Sequence, residues 1–110
     1  MKQREIWMAD LNPAKGTEQN GIRPVVVISG NAMNDNLNIF IVCPLTSKIK
    51  KYAGCVVINR TPETGLQIDS EAITFQVRTI SRDRLISKLG VITSEQLAKI
   101  KQGLSDILTY

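Results

Sequence analysis

Residues 16–29 of this chain read GTEQNGIRPVVVIS, and this stretch decides the fold. It joins a polar, glycine-bounded loop to the continuous apolar run at residues 25–28. A short run of β-branched residues is typical of a strand buried on both faces. Pro24 suits the first position of such a strand, because it has no N–H to donate to a neighbouring strand. Arg23 is therefore predicted to be extended, with its guanidinium outside the core.

The local sequence leaves two interpretations of Arg23. It forms a surface ion pair at the strand entrance, for example with Glu18, or it belongs to a functional site where the loop meets the strand. The rest of the chain has to supply the partners that decide between them.

Length and composition indicate one domain, residues 1–110, with a single core and no need of disulfide bonds. No apolar run approaches the roughly 20 residues of a membrane helix, and the N-terminus has no apolar signal region. We therefore expect a cytoplasmic protein without membrane contact.

The charged and reactive residues limit the chemistry. The net charge of +4 fits an anionic partner, and Lys48, Lys50 and Lys51 form a local basic run. Cys43 and Cys55 fit no zinc pattern and are predicted to be reduced core residues. The chain has no histidine, which excludes histidine-based triads and imidazole metal sites.

Hydrophobic patterning predicts several short strands followed by one helix. The predicted strands cover residues 5–11, 25–28, 39–44, 55–59, 70–80 and 85–92. Apolar residues then recur at three- and four-residue steps from Leu97 to Leu108, with Thr93 or Ser94 as the N-cap. Gly103 is expected to allow close packing of this helix. The order fits a small, strongly bent β-barrel with a C-terminal α-helix.

Polar side chains lie where these strands emerge. Arg23 precedes one strand, Thr46 and Ser47 end another, and alternation predicts that Gln76 and Arg78 project together from a third. With the lysine run they would form a groove of cations, hydroxyls and amides, which suit phosphate and unpaired base edges. A solvated strand edge is the competing interpretation.

Three ordered motifs carry a family resemblance. Residues 16–25 contain Gly-x-Glu-Gln-x-Gly-x-Arg-Pro-Val, residues 44–47 contain Pro-x-Thr-Ser, and residues 76–80 contain Gln-x-Arg-Thr-Ile. In this order, and over nearly the whole chain, the sequence resembles the MazF/PemK family of toxin endoribonucleases. The resemblance favours an active-site role for Arg23.

The resemblance implies a small SH3-like β-barrel of the PemK/CcdB type with a C-terminal α-helix, assembled as a homodimer. The implied activity is sequence-specific cleavage of single-stranded RNA, including mRNA, without metal or cofactor. Growth inhibition would last until a cognate antitoxin binds, and DNA would be contacted only indirectly, through the antitoxin complex.

The resemblance also implies the site residues. Arg23 and Thr46 match the family's catalytic pair, and Glu18 matches a glutamate of less settled role. The remaining candidates for RNA binding are Thr17, Gln19, Asn20, Ser47, Lys48, Lys50, Lys51, Gln76 and Arg78.

Two positions depart from the family pattern. Phe75 stands where some members carry an acidic residue proposed as the general base, and Thr17 stands where one branch has histidine. The general base is therefore unassigned, with Glu18 or an arginine as candidates.

Two other functions remain open. One is a non-catalytic CcdB-like toxin that binds gyrase, and the other is a degenerate member that only binds RNA or an antitoxin. The intact motifs around Arg23 and Thr46 argue against the first, because a gyrase-binding surface does not require them.

Overall fold

The strand β2, Ile22–Val27, lies inside the sheet between β1 and β3. The computed structural model describes residues 1–13, 16 and 21–110. Val25, Val26 and Val27 have no exposed area. Val26 packs in one apolar cluster, while Val25 and Val27 pack in a second cluster on the other face. The predicted burial on both faces is confirmed.

The described residues form one antiparallel sheet in the order β4-β5-β3-β2-β1-β7, with β6 paired to the first half of β3. The strands are β1 Glu5–Asp10, β2 Ile22–Val27, β3 Ile39–Thr46, β4 Val56–Ile58, β5 Ser70–Ala72, β6 Arg78–Ser81 and β7 Leu85–Val91. The helices are α1 Asn31–Asn36 and α2 Ser94–Thr109. The predicted mainly β fold with a C-terminal helix is confirmed.

The sheet curls into a half-barrel around α2. Leu97 and Ile100 of the helix share one apolar cluster with residues from β1 to β5, which a flat sheet could not bring together. The strands β4 and β7 end the sheet, and the segment after β4 bridges the space between them. There the Val91 N–H donates to the Glu63 carbonyl over 2.9 Å.

The prediction of one continuous strand over residues 70–80 is wrong, because this segment forms two strands separated by a turn. β5 ends at Ala72, a 3₁₀ turn covers Thr74–Gln76, and β6 begins at Arg78. Proline explains the division: the Pro44 carbonyl accepts the Ile73 N–H over 2.9 Å, but Pro44 has no N–H to return on this edge of β3. The ladder to β6 therefore stops at Val42, opposite Arg78.

The helix α2 begins as predicted. The Thr93 hydroxyl accepts the Gln96 N–H, and the Gln96 side chain accepts the Thr93 N–H, which forms a capping box. Gly103 packs against Gly54, and a Cβ on Gly103 would lie 1.9 Å from the Gly54 oxygen. The expected close packing at Gly103 is therefore confirmed. Neither helix in the described part of the chain is long and apolar enough to cross a membrane.

A buried carboxylate joins β1 to β7. Glu5 Oε1 accepts the Lys2 N–H at 2.9 Å and the Trp7 indole N–H at 3.0 Å, while Lys88 Nζ lies 3.1 Å from Oε2. Burial opposes ionisation, but these donors outweigh it and hold the pKa of Glu5 below its ordinary 4.5. Trp7 also packs against the second apolar cluster.

Both cysteines are free thiols, as predicted. Cys43 lies in the first apolar cluster, and Cys55 is half-buried. Burial, with a smaller contribution from Cys55, raises the pKa of the Cys43 thiol to about 12. Cys43 is therefore a core residue with little thiolate at neutral pH.

Candidate active site

The register of two strands brings Arg23 and Thr46 together. In the β2–β3 ladder Val25 pairs with Pro44 and Val26 with Cys43. Arg23 lies two residues before Val25 and Thr46 lies two residues after Pro44, so both lie at the same end of the β2–β3 pair. Paired residues, and residues two apart on one strand, project from the same face of a sheet, so both side chains emerge on one side. Both are half-buried rather than fully exposed.

Arg23 and Thr46 line the same cavity, here called the large cavity. Its volume of about 640 Å³ is within the range of small-molecule sites, about 300–1,000 Å³. Its floor is apolar and its polar groups are mainly cations, hydroxyls and an amide. The lining residues are Met8, Ile22, Arg23, Pro24, Leu45, Thr46, Ser47, Lys48, Gly65, Gln67, Ile68, Ser70 and Leu89.

The end of β3 fixes the orientation of the Thr46 hydroxyl. The Lys48 N–H donates to Thr46 Oγ1 over 3.2 Å. Because Oγ1 accepts this hydrogen bond, its own proton can be donated to a ligand in the cavity. Ser47 and Lys48 are exposed beside it. Two hydroxyls and one ammonium group therefore lie at the mouth of the site, as the sequence predicted.

A buried carboxylate that the sequence analysis missed shapes the basic loop, residues 48–52. Glu71 has no exposed area and pairs with Thr46 across β3 and β5. Its Oε1 accepts the Lys50 N–H at 3.0 Å and the Lys51 N–H at 3.3 Å, and Oε2 accepts the Tyr52 N–H at 3.1 Å. Backbone N–H groups of the loop donate the hydrogen bonds that this carboxylate accepts, and the three lysines of the loop are exposed to solvent.

The sequence did contain a signal for this residue. Glu71 lies between Ser70 and Ala72 in a segment with strand character, about twenty residues from the lysine run. A single carboxylate among small residues in a short strand indicates a buried acceptor that needs donors from elsewhere.

Gln76 and Arg78 do not project together, which corrects the sequence-based prediction. Gln76 lies at the end of the 3₁₀ turn and lines a second cavity with Lys48 and Lys50. Arg78 is half-buried on β6, and its guanidinium donates to the Leu11 carbonyl over 3.4 Å. Arg78 therefore supports the start of the polar loop and is absent from the lining of both cavities.

Arg84 supports the same loop and was not singled out from the sequence. Its guanidinium donates to the carbonyls of Asp10 and Asn12. The Asn12 side chain in turn accepts the Gly21 N–H over 3.0 Å. Both ends of the polar loop are thus held together.

The remaining candidates from this loop, Thr17, Glu18, Gln19 and Asn20, lie outside the described residues. The alternative ion pair between Arg23 and Glu18 depends on one of them. Within residues 1–13, 16 and 21–110, no three cysteine, aspartate or glutamate side chains are grouped so that they could hold a metal ion.

Comparison with known proteins shows the family to which the chain belongs. Residues 2–108 match the family described as the PemK-like, MazF-like toxin of type II toxin-antitoxin systems. The chain belongs to this toxin family. The predicted family is confirmed, and the match spans every residue of the two cavities.

Individual relatives agree with the assignment. Endoribonuclease MazF9 of Mycobacterium tuberculosis (strain ATCC 25618 / H37Rv) is 36% identical over 109 residues, which cover 94% of this chain and 92% of the relative. Two solved structures share the fold. The first is MazF from Deinococcus radiodurans, with a TM-score of 0.86 and 23% identity; the match covers 100% of this chain and 97% of that chain. The second is an endoribonuclease in complex with its cognate antitoxin from Mycobacterial species, with a TM-score of 0.79 and 19% identity; the match covers 98% of this chain and 94% of that chain.

Proposed function

We propose that this family member is a sequence-specific endoribonuclease toxin that cleaves single-stranded RNA without a metal ion. The endoribonuclease class agrees with the family and with the name of its relative, endoribonuclease MazF9. The observation that carries the mechanism is that Arg23 and Thr46, at the same end of the β2–β3 pair, line one cavity.

In the proposed reaction, the 2′-oxygen of the RNA forms a bond to the adjacent phosphorus, and the bond from phosphorus to the 5′-oxygen breaks. The proton of the 2′-hydroxyl leaves to a base, and the 5′-oxygen takes up a proton. The products are a 2′,3′-cyclic phosphate, or its hydrolysed 3′-phosphate, and a 5′-hydroxyl.

Arg23 and Thr46 have separate roles in this reaction. Negative charge builds on the non-bridging phosphate oxygens in the transition state, and a guanidinium can bind two of them at once. The Thr46 hydroxyl, whose oxygen already accepts the Lys48 N–H, donates its proton to the phosphate and fixes its orientation. Glu18 is the candidate for the base, with an arginine as the alternative.

The partners follow from the same proposal. A cognate antitoxin would block the RNA-binding cleft, and a solved relative is in complex with its cognate antitoxin. We further propose that residues 1–110 form one toxin domain, that the chain is a cytoplasmic homodimer, and that DNA is contacted only through the antitoxin complex. Among the predicted RNA-binding residues, Ser47, Lys48, Lys50, Lys51 and Gln76 lie at or beside the two cavities, as this function requires.

The test is cleavage of a long RNA by purified protein in EDTA, with the 5′ ends of the products mapped. We expect cuts at one short sequence. R23A should lower the cleavage rate about 100- to 1,000-fold, the effect of removing one donor to a developing anion. K101A, which removes an exposed cation of α2 outside both cavities, is the control for lost charge.

A 2′-deoxy nucleotide at the scissile position should abolish cleavage and preserve binding. Continued cutting of that substrate would refute attack by the 2′-oxygen. The absence of cuts together with inhibition of gyrase would instead support the CcdB-like alternative.

A further inference from the structure

The small cavity, of about 240 Å³, adjoins the large cavity because both are lined by Thr46 and Lys48. It is suited to one planar group rather than to an extended ligand. Its lining residues are Thr46, Lys48, Lys50, Tyr52, Ile73, Phe75 and Gln76. A group bound here lies next to the phosphate that Thr46 is proposed to orient.

Two aromatic rings meet at this cavity and stay accessible. The centroids of Tyr52 and Phe75 are 5.3 Å apart, and the ring planes are at 85°, an edge-to-face pair. Phe75 is 50% exposed and Tyr52 is 44% exposed. These rings do not complete the core, so the area that they expose is available to a ligand.

The backbone holds the two rings in place. Tyr52 lies in the basic loop, where its N–H donates to the buried carboxylate of Glu71. Phe75 lies in the 3₁₀ turn, and the neighbouring Thr74 hydroxyl donates to the Gly54 carbonyl over 3.0 Å. This bond joins the turn to the segment that follows the loop. The aromatic pair is therefore organised before any ligand binds, which lowers the entropy cost of binding.

The polar groups around the rings select the kind of ligand. Of the described residues that line the small cavity, Lys48 and Lys50 are cations and none is acidic. Gln76 adds an amide with both a donor and an acceptor. Aromatic rings beside cations are the combination that binds the bases and phosphates of single-stranded nucleic acid.

We propose that the small cavity is a nucleobase subsite, which binds one unpaired base of the RNA close to the scissile phosphate. The base stacks on the Tyr52–Phe75 pair, Gln76 contacts its edge, and Lys50 binds a flanking phosphate. The proposal rests on the proposed function, and it gives Phe75 a role in binding at a position where some relatives carry an acid.

The first readout is affinity for a short single-stranded RNA that contains the cut sequence and a 2′-deoxy nucleotide at the scissile position. We expect F75A to raise the Kd about tenfold, the effect of losing one stacked base. F75Y should bind like the unaltered chain. L37A is the matched control, because Leu37 is 49% exposed and lies outside both cavities.

The second readout shows which nucleotide of the RNA supplies the bound base. An abasic nucleotide, moved one position at a time along this RNA, should raise the Kd of the unaltered chain about tenfold at one position near the cut. The same abasic RNA should cause no further loss in F75A, because the stacking partner is already gone. Equal losses in both proteins at every position would overturn the subsite.

Cleavage of the matching all-ribose RNA separates the two proposals. If the unaltered chain cuts RNA but F75A binds it equally well, the subsite is wrong and the endoribonuclease stands. If a long single-stranded RNA of mixed sequence is not cut but F75A binds it more weakly than the unaltered chain does, the proposed function is wrong and the subsite stands. Unchanged RNA binding with weaker binding of the antitoxin would assign the rings to the protein partner.

Discussion

Two buried carboxylates at different places in the sheet show how similar groups serve different ends. Glu5 binds two side chains, those of Trp7 and Lys88, and one backbone N–H at the β1–β7 pair. Glu71 binds three consecutive backbone N–H groups of the basic loop. The first carboxylate joins elements of the sheet, whereas the second determines the path of a loop.

This difference predicts which property changes when each carboxylate is removed. Lys50, Lys51 and Tyr52 are exposed, so their N–H groups can reach water if Glu71 is removed. The loop then loses its order while the sheet keeps most of its stability. Two partners of Glu5, Trp7 and Lys88, lie on the paired strands β1 and β7, so removing the carboxylate should lower the free energy of unfolding.

Of the changes to these two carboxylates and their partners, E71A is expected to have the largest effect. Releasing the basic loop displaces Lys50 and Tyr52, and misplacement of binding groups by about 1 Å can cost about 100-fold in rate. We expect kcat/KM for RNA cleavage to fall by that order, mainly through KM. E71Q should be intermediate, because an amide presents an N–H donor to at least one loop N–H.

Hydrogen exchange tests the cause of this loss. The amides of residues 50–52 should lose protection in E71A, while those of β2 keep it. E95Q, which changes an exposed acid in the first turn of α2, is the control. Retained protection at residues 50–52 would show that Glu71 does not hold the loop.

A smaller effect is expected for E5Q. An amide accepts the Lys2 and Trp7 N–H groups more weakly than a carboxylate does, because hydrogen bonds to a charged group are stronger, and we expect the loss to be about 1–3 kcal/mol. Urea denaturation should show a loss of this size, with kcat for RNA unchanged. A large loss of activity at unchanged stability would remove the contrast between the two carboxylates.

The pH dependence of stability gives a third test. The pKa of folded Glu5 is below its ordinary 4.5, so the unfolded chain binds the proton more readily. The stabilisation is therefore complete above pH 4.5 and is lost as the pH falls through the folded pKa. The difference in unfolding free energy between the unaltered chain and E5Q should shrink over that interval, whereas a constant difference would contradict the assignment.

The smallest effect is expected for K88M. The Lys88 side chain is 48% exposed, so solvent screens its ion pair with Glu5, and such pairs contribute below about 1 kcal/mol. The loss in the free energy of unfolding should decrease further in high salt. A loss as large as that of E5Q would mean that the ion pair, rather than the Trp7 and Lys2 hydrogen bonds, stabilises the carboxylate.

The sequence by itself determined the elements whose causes are local. The β-branched run at residues 25–28 predicted a strand buried on both faces, and Thr93 or Ser94 as the N-cap predicted the start of α2. The motifs also predicted that Arg23 and Thr46 belong to one site. The strand and the helix start follow from neighbouring residues in the chain, which is the range over which sequence patterns act, whereas the prediction of the site came from the family resemblance.

Only the tertiary structure decided what depends on pairing between distant segments. The pairing of β2 with β3 brings Arg23 and Thr46 to the same end of the two strands. The missing N–H of Pro44 divides the expected strand at residues 70–80 and leaves Phe75 on a turn. The partners of Glu71 lie 19 to 21 residues away in sequence, so no local pattern specifies them. A buried charge is stable only where the fold brings donors to it, and the fold is settled by the whole chain.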